Sequence, residues 1–453
     1  MEQTNNDLGT GKIGKLLLQL AIPCIIAQLV NLLYNIVDRI FIGRMVNGQL
    51  AMAGIGIVTP IVVLITAFSA LVGFGGSPVA AIKMGEKDND GADKILSNSF
   101  TMCILIGIVL TIVCLVFKKP IIYAFGASDT IYPYAQDYLS IYIIGTIFVE
   151  IAISMNSFIN TQGFAKIGMI TVIIGAALNI ILDPIFIFGL NMGVKGAALA
   201  TIISQFVSAV FVLRFLFGNK SILKVRKEYL KLDKAVVKSV LSLGVSPFIM
   251  QATESIVLIC LNNQLARYGG DLAVSAMTIM TSMMQFITMP LSGLVQGAQP
   301  IISYNYGAKD YDRVKSAFKL LFICCVTFAA TVVALLVIFP SFFVNIFNGD
   351  KELVEITSWC MRIYFIGIPV FGVQIACQQT FIALGQAKIS LFLALLRKMI
   401  LLVPLIFILP VVLKGGLMSV IMAEPISDVT AGVITGTLFA RFYKKEFCNE
   451  IAA

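Results

Sequence analysis

The chain has 453 residues, of which 58% are hydrophobic and only 13% are charged, and its formal net charge is +9. Soluble domains are roughly a quarter charged, so this composition, with a mean hydropathy of +0.95, excludes an ordinary soluble protein. The chain contains no histidine, which excludes histidine metal sites and Ser-His-Asp hydrolases and argues against an intramembrane enzyme.

Twelve apolar segments follow one another along the chain, and each is long enough to cross a bilayer as a helix. They predict an all-α integral membrane protein with about 12 transmembrane helices. We expect Pro23 to kink the first helix, because a proline removes a backbone hydrogen bond from its host. The segments are 14–43, 51–81, 96–117, 131–158, 167–190, 194–217, 236–265, 273–302, 316–345, 354–384, 389–413 and 415–442.

An internal repeat divides the chain into two halves. KMGEKD at 83–88 returns as NYGAKD at 305–310, and GGSP at 75–78 returns as GAQP at 297–300, so both pairs are 222 residues apart. Each half holds six helices, and an even number gives both halves the same orientation in the membrane. The pattern predicts two six-helix lobes related by a parallel pseudo-twofold repeat, which is typical of transporters. The predicted parts are an N-lobe at 1–217, a solvated cytoplasmic linker at 218–238 and a C-lobe at 239–453.

Basic residues between the apolar segments predict the orientation of the chain. If the N-terminus lies inside, the inner segments hold 21 Lys and Arg residues and the outer segments hold 8. Cytoplasmic loops of membrane proteins carry the excess of positive charge. Both termini are therefore expected on the cytoplasmic side, and the net positive charge needs no nucleic-acid partner to explain it.

Ionisable side chains within apolar helices are energetically costly and usually functional. Asp38 and Asp183 have no carboxylate counterpart in the second half, which favours a dedicated site over a role in the scaffold. Asn179 and Asp183 are four residues apart and share one face of helix five, and Thr201 on helix six is placed to reach that face. Two carboxylates with amide and hydroxyl oxygens predict a site for Na⁺ or a proton.

Other polar residues within the apolar segments leave their roles open. Arg397 and Asp428 lie at comparable depths on helices eleven and twelve, which predicts a structural ion pair. Glu150 and Glu254 either face the substrate or accept structural hydrogen bonds. Met284 belongs to a methionine cluster that either lines an adaptable substrate cavity or packs in the core.

Several motifs, taken in order, resemble the multidrug and toxin extrusion (MATE) family, on its prokaryotic DinF-like and MepA-like side. The resemblance covers nearly the whole chain and implies the MATE fold in a bacterial cytoplasmic (inner) membrane. It implies a monomeric antiporter that exports small organic cations in exchange for H⁺ or Na⁺, with no cofactor and no other metal. The motifs are NIVDRIFIG at 35–43, LNIILDPIFIFG at 178–189, GVKGAALAT at 193–201 and QGAQPIISYNYGAKD at 296–310.

The resemblance also implies roles for particular residues. Pro23 matches the proline at which helix one bends in the family, and Glu254 lies near a glutamate that other branches place on helix seven. The implied ion-coupling residues are Asp38, Asn179, Asp183 and Thr201, with Tyr34 and Asn156 close to them.

Two alternatives have a different cargo or mechanism. A flippase of lipid-linked oligosaccharide precursors from the same superfamily needs a cationic cavity for pyrophosphate, for which only Arg397 and Lys398 are available. A channel needs neither a two-lobe repeat nor an acidic site in one half only.

Overall fold

The computed structural model describes residues 8–347 and 350–448. Within these residues, eleven helices are long and apolar enough to cross a membrane, and two shorter helices joined at a bend of 58° pass the same test together. Every regular element in this part of the chain is helical. The predicted all-α membrane fold of about twelve spans is therefore confirmed.

We number the twelve spans in chain order. They are α1 (Ile13–Gly43), α2 (Gly48–Gly85), α3 (Asn89–Val116), α4 (Tyr132–Ile144 with Thr146–Thr161), α5 (Ala165–Gly189), α6 (Val194–Leu216), α7 (Lys234–Gly270), α8 (Leu272–Gly307), α9 (Tyr311–Ile338), α10 (Lys351–Ala383), α11 (Ala387–Leu413) and α12 (Leu417–Phe447). Short helices lie between spans at Lys118–Ala124 and Pro340–Phe347.

Glycine and proline account for the breaks within and between these spans. α4 bends at Gly145, and its repeat counterpart Gly367 ends a 3₁₀ turn within α10. α7 and α8 join without a loop at Gly270, whose φ of +63° is readily adopted only by glycine. The predicted segment 316–345 is divided, because Pro340 begins a separate short helix after α9 ends.

The two halves contact each other through their repeat-related helices. α2 packs against α7 and α8, and α1 packs against the same pair. A Cβ atom on Gly85 would lie 2.0 Å from the carbonyl oxygen of Tyr304, and one on Gly307 would lie 2.0 Å from that of Ile82. Both pairs are 222 residues apart, so the contact is reciprocal, as a parallel pseudo-twofold repeat requires.

The same side of the bundle is sealed by the segment that precedes α1; we call it the closed end. Leu8 is only 2% exposed there. Arg313 donates hydrogen bonds to the carbonyl oxygens of Leu8 at 3.0 Å and Gly11 at 2.8 Å, and to Asn305 Oδ1 at 2.9 Å. Asn305 Nδ2 also donates to Leu8 O at 2.9 Å. These bonds tie the start of α1 to α8 and α9.

The solvated linker predicted for 218–238 is corrected by the structure, because much of this segment is bound to the N-terminal half. Arg226 pairs with Asp93 at 2.7 Å, and Asp93 also accepts a hydrogen bond from the amide of Lys224 at 2.8 Å. Gln162 Oε1 accepts from the amides of Ile222 and Leu223 at 2.7 and 2.9 Å. The polar residues of this segment thus satisfy protein groups as well as water.

The end of the predicted linker is helical, since α7 begins at Lys234. Asp233 caps α7 by accepting a hydrogen bond from the amide of Ala235, and it pairs with Lys94 of α3 at 2.6 Å. The Lys94 ammonium, with the help of that amide, holds the pKa of Asp233 below its usual range. This pair fixes the start of α7 against the N-terminal half.

Candidate functional site

A polar cluster in the N-terminal half contains the four residues expected to couple ions. Asn179 and Asp183 lie on one face of α5 and are buried. Asn179 Nδ2 faces Asp183 Oδ1 at 3.3 Å and the Thr201 hydroxyl of α6 at 3.4 Å, and that hydroxyl donates to the Ala197 carbonyl at 3.0 Å. The carboxyl group of Asp38, from α1, lies within hydrogen-bonding reach of the Asp183 carboxyl.

Local features of α5 explain how these side chains meet. Pro184 directly follows Asp183 and cannot donate an amide hydrogen bond, and the next residues, Ile185–Gly189, adopt a π-helical turn. Such turns occur often at functional sites. α6 approaches α5 closely at Gly196, where a Cβ atom would lie 2.7 Å from the backbone of Phe186. This approach brings Thr201 to the face of α5 that carries Asn179.

Three oxygen atoms of this cluster are buried and have no hydrogen-bond partner among the described residues. They are Asp38 Oδ1, Asp183 Oδ2 and Asn179 Oδ1. An ionised carboxylate only accepts hydrogen bonds, so two carboxyl groups bond to each other only if one carries a proton. No lysine or arginine of the described residues forms an ion pair with either aspartate. The oxygens can therefore hold a shared proton or a hard cation such as Na⁺.

Tyrosines surround this cluster, and sequence reasoning identified only one of them. Tyr34 lies one turn before Asp38 on α1, within electrostatic range of both aspartates. Tyr138 of α4 lies within hydrogen-bonding reach of the Thr201 hydroxyl. Tyr138 gave no signal in the sequence, because a tyrosine in an apolar helix resembles any other core residue. The structure adds it to the site.

The remaining N-terminal residues named from the sequence lie at some distance from the four. Asn156 of α4 faces the carbonyl of Gly168 at 3.3 Å, and its own carbonyl oxygen is buried without a partner. Pro23 is buried within α1, which is assigned as one continuous helix from Ile13 to Gly43. Glu150 is fully buried in α4, so it faces the interior of the half rather than an open cavity.

The C-terminal half contains a buried cluster of charges that joins α11 and α12. The Arg397 guanidinium donates to Asp428 Oδ1 at 2.7 Å and to Glu424 Oε1 at 3.2 Å. It also lies 4.2 Å from the ring centroid of Phe371. The structure brings together Arg397 and Asp428, as the sequence predicted, and adds Glu424 as a second carboxylate.

Lys398, the neighbour of Arg397, reaches a different helix. Its ammonium donates to Glu254 Oε2 and to the Met250 carbonyl, both on α7. Its side chain is 8% exposed, whereas that of Glu254 is 67% exposed. A π-helical segment at Leu396–Leu402 carries both basic residues. Sequence reasoning found no partner for Glu254, because contacts between distant helices leave no local pattern.

Met284 of α8 is half-buried and packs against the large apolar core of the C-terminal half. This position is compatible with packing, which was one of the two roles considered for the methionine cluster.

Comparisons with known proteins agree with this architecture. The MatE family model matches residues 23–185 and 247–408, one stretch in each half. The multidrug export protein MepA of Staphylococcus haemolyticus (strain JCSC1435) is 26% identical over 428 residues and covers 94% of each chain. The protein of that name from Staphylococcus aureus (strain MSSA476) is 26% identical over 423 residues, with 93% of each chain covered.

Solved structures share the fold over almost the full length. A crystal structure of a MATE in the bent conformation has a TM-score of 0.92 at 23% sequence identity and covers 100% of both chains. The outward-facing conformation of a multidrug resistance MATE family transporter of the MOP superfamily has a TM-score of 0.92 at 22% identity. That comparison covers 98% of this chain and 99% of the other.

Proposed function

The chain belongs to the MatE family and is a transporter rather than an enzyme, and we propose that it exports organic cations in exchange for H⁺ or Na⁺ by alternating access. The observation that carries this proposal is the Asp38–Asp183 pair, with buried carboxyl oxygens that lack partners. The multidrug export named for its relatives supports the cargo. The transporter works as a monomer, without a cofactor.

The proposed mechanism requires the ion and the drug to favour opposite conformations. An ion that enters from outside neutralises the acidic pair, and α1 then bends near Pro23 so that the N-lobe releases its cargo outward. Release of the ion on the inside restores the repulsion between Asp38 and Asp183. The contact of Gly85 with Gly307 at the closed end must separate before cargo can enter from the cytoplasm.

The alternative of a flippase for lipid-linked oligosaccharide precursors receives less support. Its pyrophosphate needs basic side chains that are free to bind it. Arg397 already contacts two carboxylates and Lys398 contacts Glu254. The described charges near these helices therefore offer three carboxylates to two cations, which favours a cationic cargo.

Transport driven by separate gradients tests the proposal. We expect the purified protein in lipid vesicles to accumulate ethidium on the side with the higher H⁺ or Na⁺ concentration, because the ion moving down its gradient drives the dye the other way. Fluorescence quenching measures the dye while a pH gradient or a Na⁺ gradient is imposed alone. Lack of uphill movement with either gradient would refute antiport of this cation.

The orientation is also a proposal: the closed end, both termini and the segment 218–233 face the cytoplasm of a bacterial inner membrane. The excess of basic residues on this side supports it. In a cysteine-free background, a cysteine at Asn219 should be protected from an impermeant thiol reagent on intact cells, and one at Ser128 should be labelled. Both positions are exposed.

Ser221 is unsuitable for this test, since it is 4% exposed and its hydroxyl is bonded to Gln162. Cells opened with detergent provide the control, because both cysteines should then react. A reversed labelling pattern on intact cells would overturn the proposed orientation.

A further inference from the structure

Glu150 of α4 is the most isolated carboxyl group within the described membrane spans. Its side chain is 0% exposed, and neither carboxyl oxygen has a hydrogen-bond partner among the described residues. The hydroxyl of Ser69, on α2, faces it and is also unpartnered. The polar groups are therefore close to each other, but no formed hydrogen bond holds the carboxyl group.

The surroundings of Glu150 contain no charge that could stabilise an ionised carboxylate. The titratable groups that face it are the Cys103 thiol of α3 and the Tyr142 phenol of α4, while α2 presents only Ser69. No lysine or arginine of the described residues contributes to its electrostatic environment. Burial of an unpaired charge is far more costly than burial of a neutral carboxyl group, so Glu150 is protonated in this conformation.

A row of buried tyrosines lies between Glu150 and the aspartate pair. Tyr142 is within electrostatic range of Glu150 and of Tyr34, and Tyr34 is within the same range of Asp38 and Asp183. Tyr138 stacks on Tyr142 with a centroid separation of 6.1 Å. A phenol hydroxyl both donates and accepts hydrogen bonds, so it can pass a proton onward. It cannot pass Na⁺ in this way.

The scaffold does not require a carboxyl group at this position. The repeat offset of 222 residues relates Glu150 to Gly372 of α10, and the motifs on both sides of it keep that offset. α10 forms the corresponding bent span with glycine there. An acidic residue in the interior of only one lobe is better explained by a function than by helix packing.

We infer that Glu150 is a second proton-binding site of the N-terminal half, which exchanges its proton with the Asp38–Asp183 pair by way of Tyr142 and Tyr34. The inference rests on the proposed function and narrows the coupling ion to H⁺. A proton on Glu150 passes to Tyr142 as Tyr142 releases its own to Tyr34, and Tyr34 in turn delivers one to an ionised aspartate. Charge moves, and no bond other than O–H bonds changes.

The number of protons exchanged for each dye molecule tests this inference. In vesicles clamped at zero membrane potential, the logarithm of the steady-state ethidium ratio rises with the imposed pH difference, and the slope is the number of protons exchanged. Glu150→Gln keeps the size of the side chain but removes the titratable group, so the slope should fall by about one. Glu352→Gln makes the same change at an exposed position and should leave the slope unaltered.

The outcomes separate this inference from the proposed function. A wild-type slope above zero that is unchanged in Glu150→Gln overturns the inference and leaves antiport intact. Dye accumulation driven by Na⁺ and insensitive to pH also overturns it. A wild-type protein that responds to neither gradient refutes the proposed function itself.

A second measurement does not depend on the folding of the glutamine variant. The infrared spectrum of the wild-type protein should contain a band of a buried protonated carboxyl group that changes when ethidium is added. Glu150→Asp retains the acid in an altered position, so the band should shift and the proton slope should be preserved. A carboxyl band that is the same in both proteins contradicts the inference.

Discussion

Asp183→Asn and Asp38→Asn should each yield a folded transporter that no longer moves a cation against its gradient. An asparagine side chain occupies almost the same volume as aspartate, and its amide can donate to the remaining carboxylate, as a protonated aspartate does. The variant is therefore held in the neutral form of the pair and cannot respond to the ion. Gradient-driven ethidium efflux should fall by roughly 5- to 150-fold, the usual range of coupling free energies.

Asp137→Asn provides a matched control for this result. Asp137 lies in the same half and pairs with Lys195 at 3.5 Å, with both side chains partly exposed. Such surface pairs contribute little, so the control should keep wild-type efflux. Thr201→Ala should weaken coupling only in part, because the aspartate pair remains. If both asparagine variants exported ethidium uphill at the wild-type rate, the pair would not couple the ion, and Glu254 would become the leading candidate.

The spans and the coupling residues were predictable because both leave local patterns in the sequence. Membrane spans are long apolar runs, and the 222-residue repeat is written in short motifs that the reciprocal contact of Gly85 and Gly307 reflects in space. Asn179 and Asp183 meet because residues four apart share a helix face. These features depend on helix periodicity alone or on residues close in sequence.

Contacts between distant segments were not predictable in the same way. The polar stretch 218–238 has the composition of a solvated linker, yet Gln162 and Asp93 satisfy its backbone amides. Lys398 meets Glu254 because a π-helical segment carries consecutive basic residues that reach different helices. Polar composition indicates only that a group needs a partner, and the tertiary fold decides whether that partner is water, backbone or another charge.

Arg397→Met should strongly reduce the amount of folded protein. The substitution removes the guanidinium but leaves the carboxylates of Asp428 and Glu424, both buried, to face each other. Lys398 does not replace it, since its ammonium donates to Glu254 and the Met250 carbonyl. Loss of one partner from a buried ion pair costs about 3–5 kcal/mol. The yield of monodisperse protein and its Tm in detergent measure the effect.

Removal of the carboxylates along with the arginine should restore stability in steps. Asp428→Asn added to Arg397→Met relieves one uncompensated charge, and Glu424→Gln relieves the second, since a fully neutral buried cluster avoids the desolvation of unpaired ions. Arg267→Met, at an exposed position, should leave Tm unchanged and controls for the loss of a guanidinium. Recovery in the triple variant would identify a structural ion cluster. If the triple variant were no more stable than Arg397→Met alone, the three side chains would not act as partners, and Arg397 would have to be reconsidered as a residue that meets the cargo.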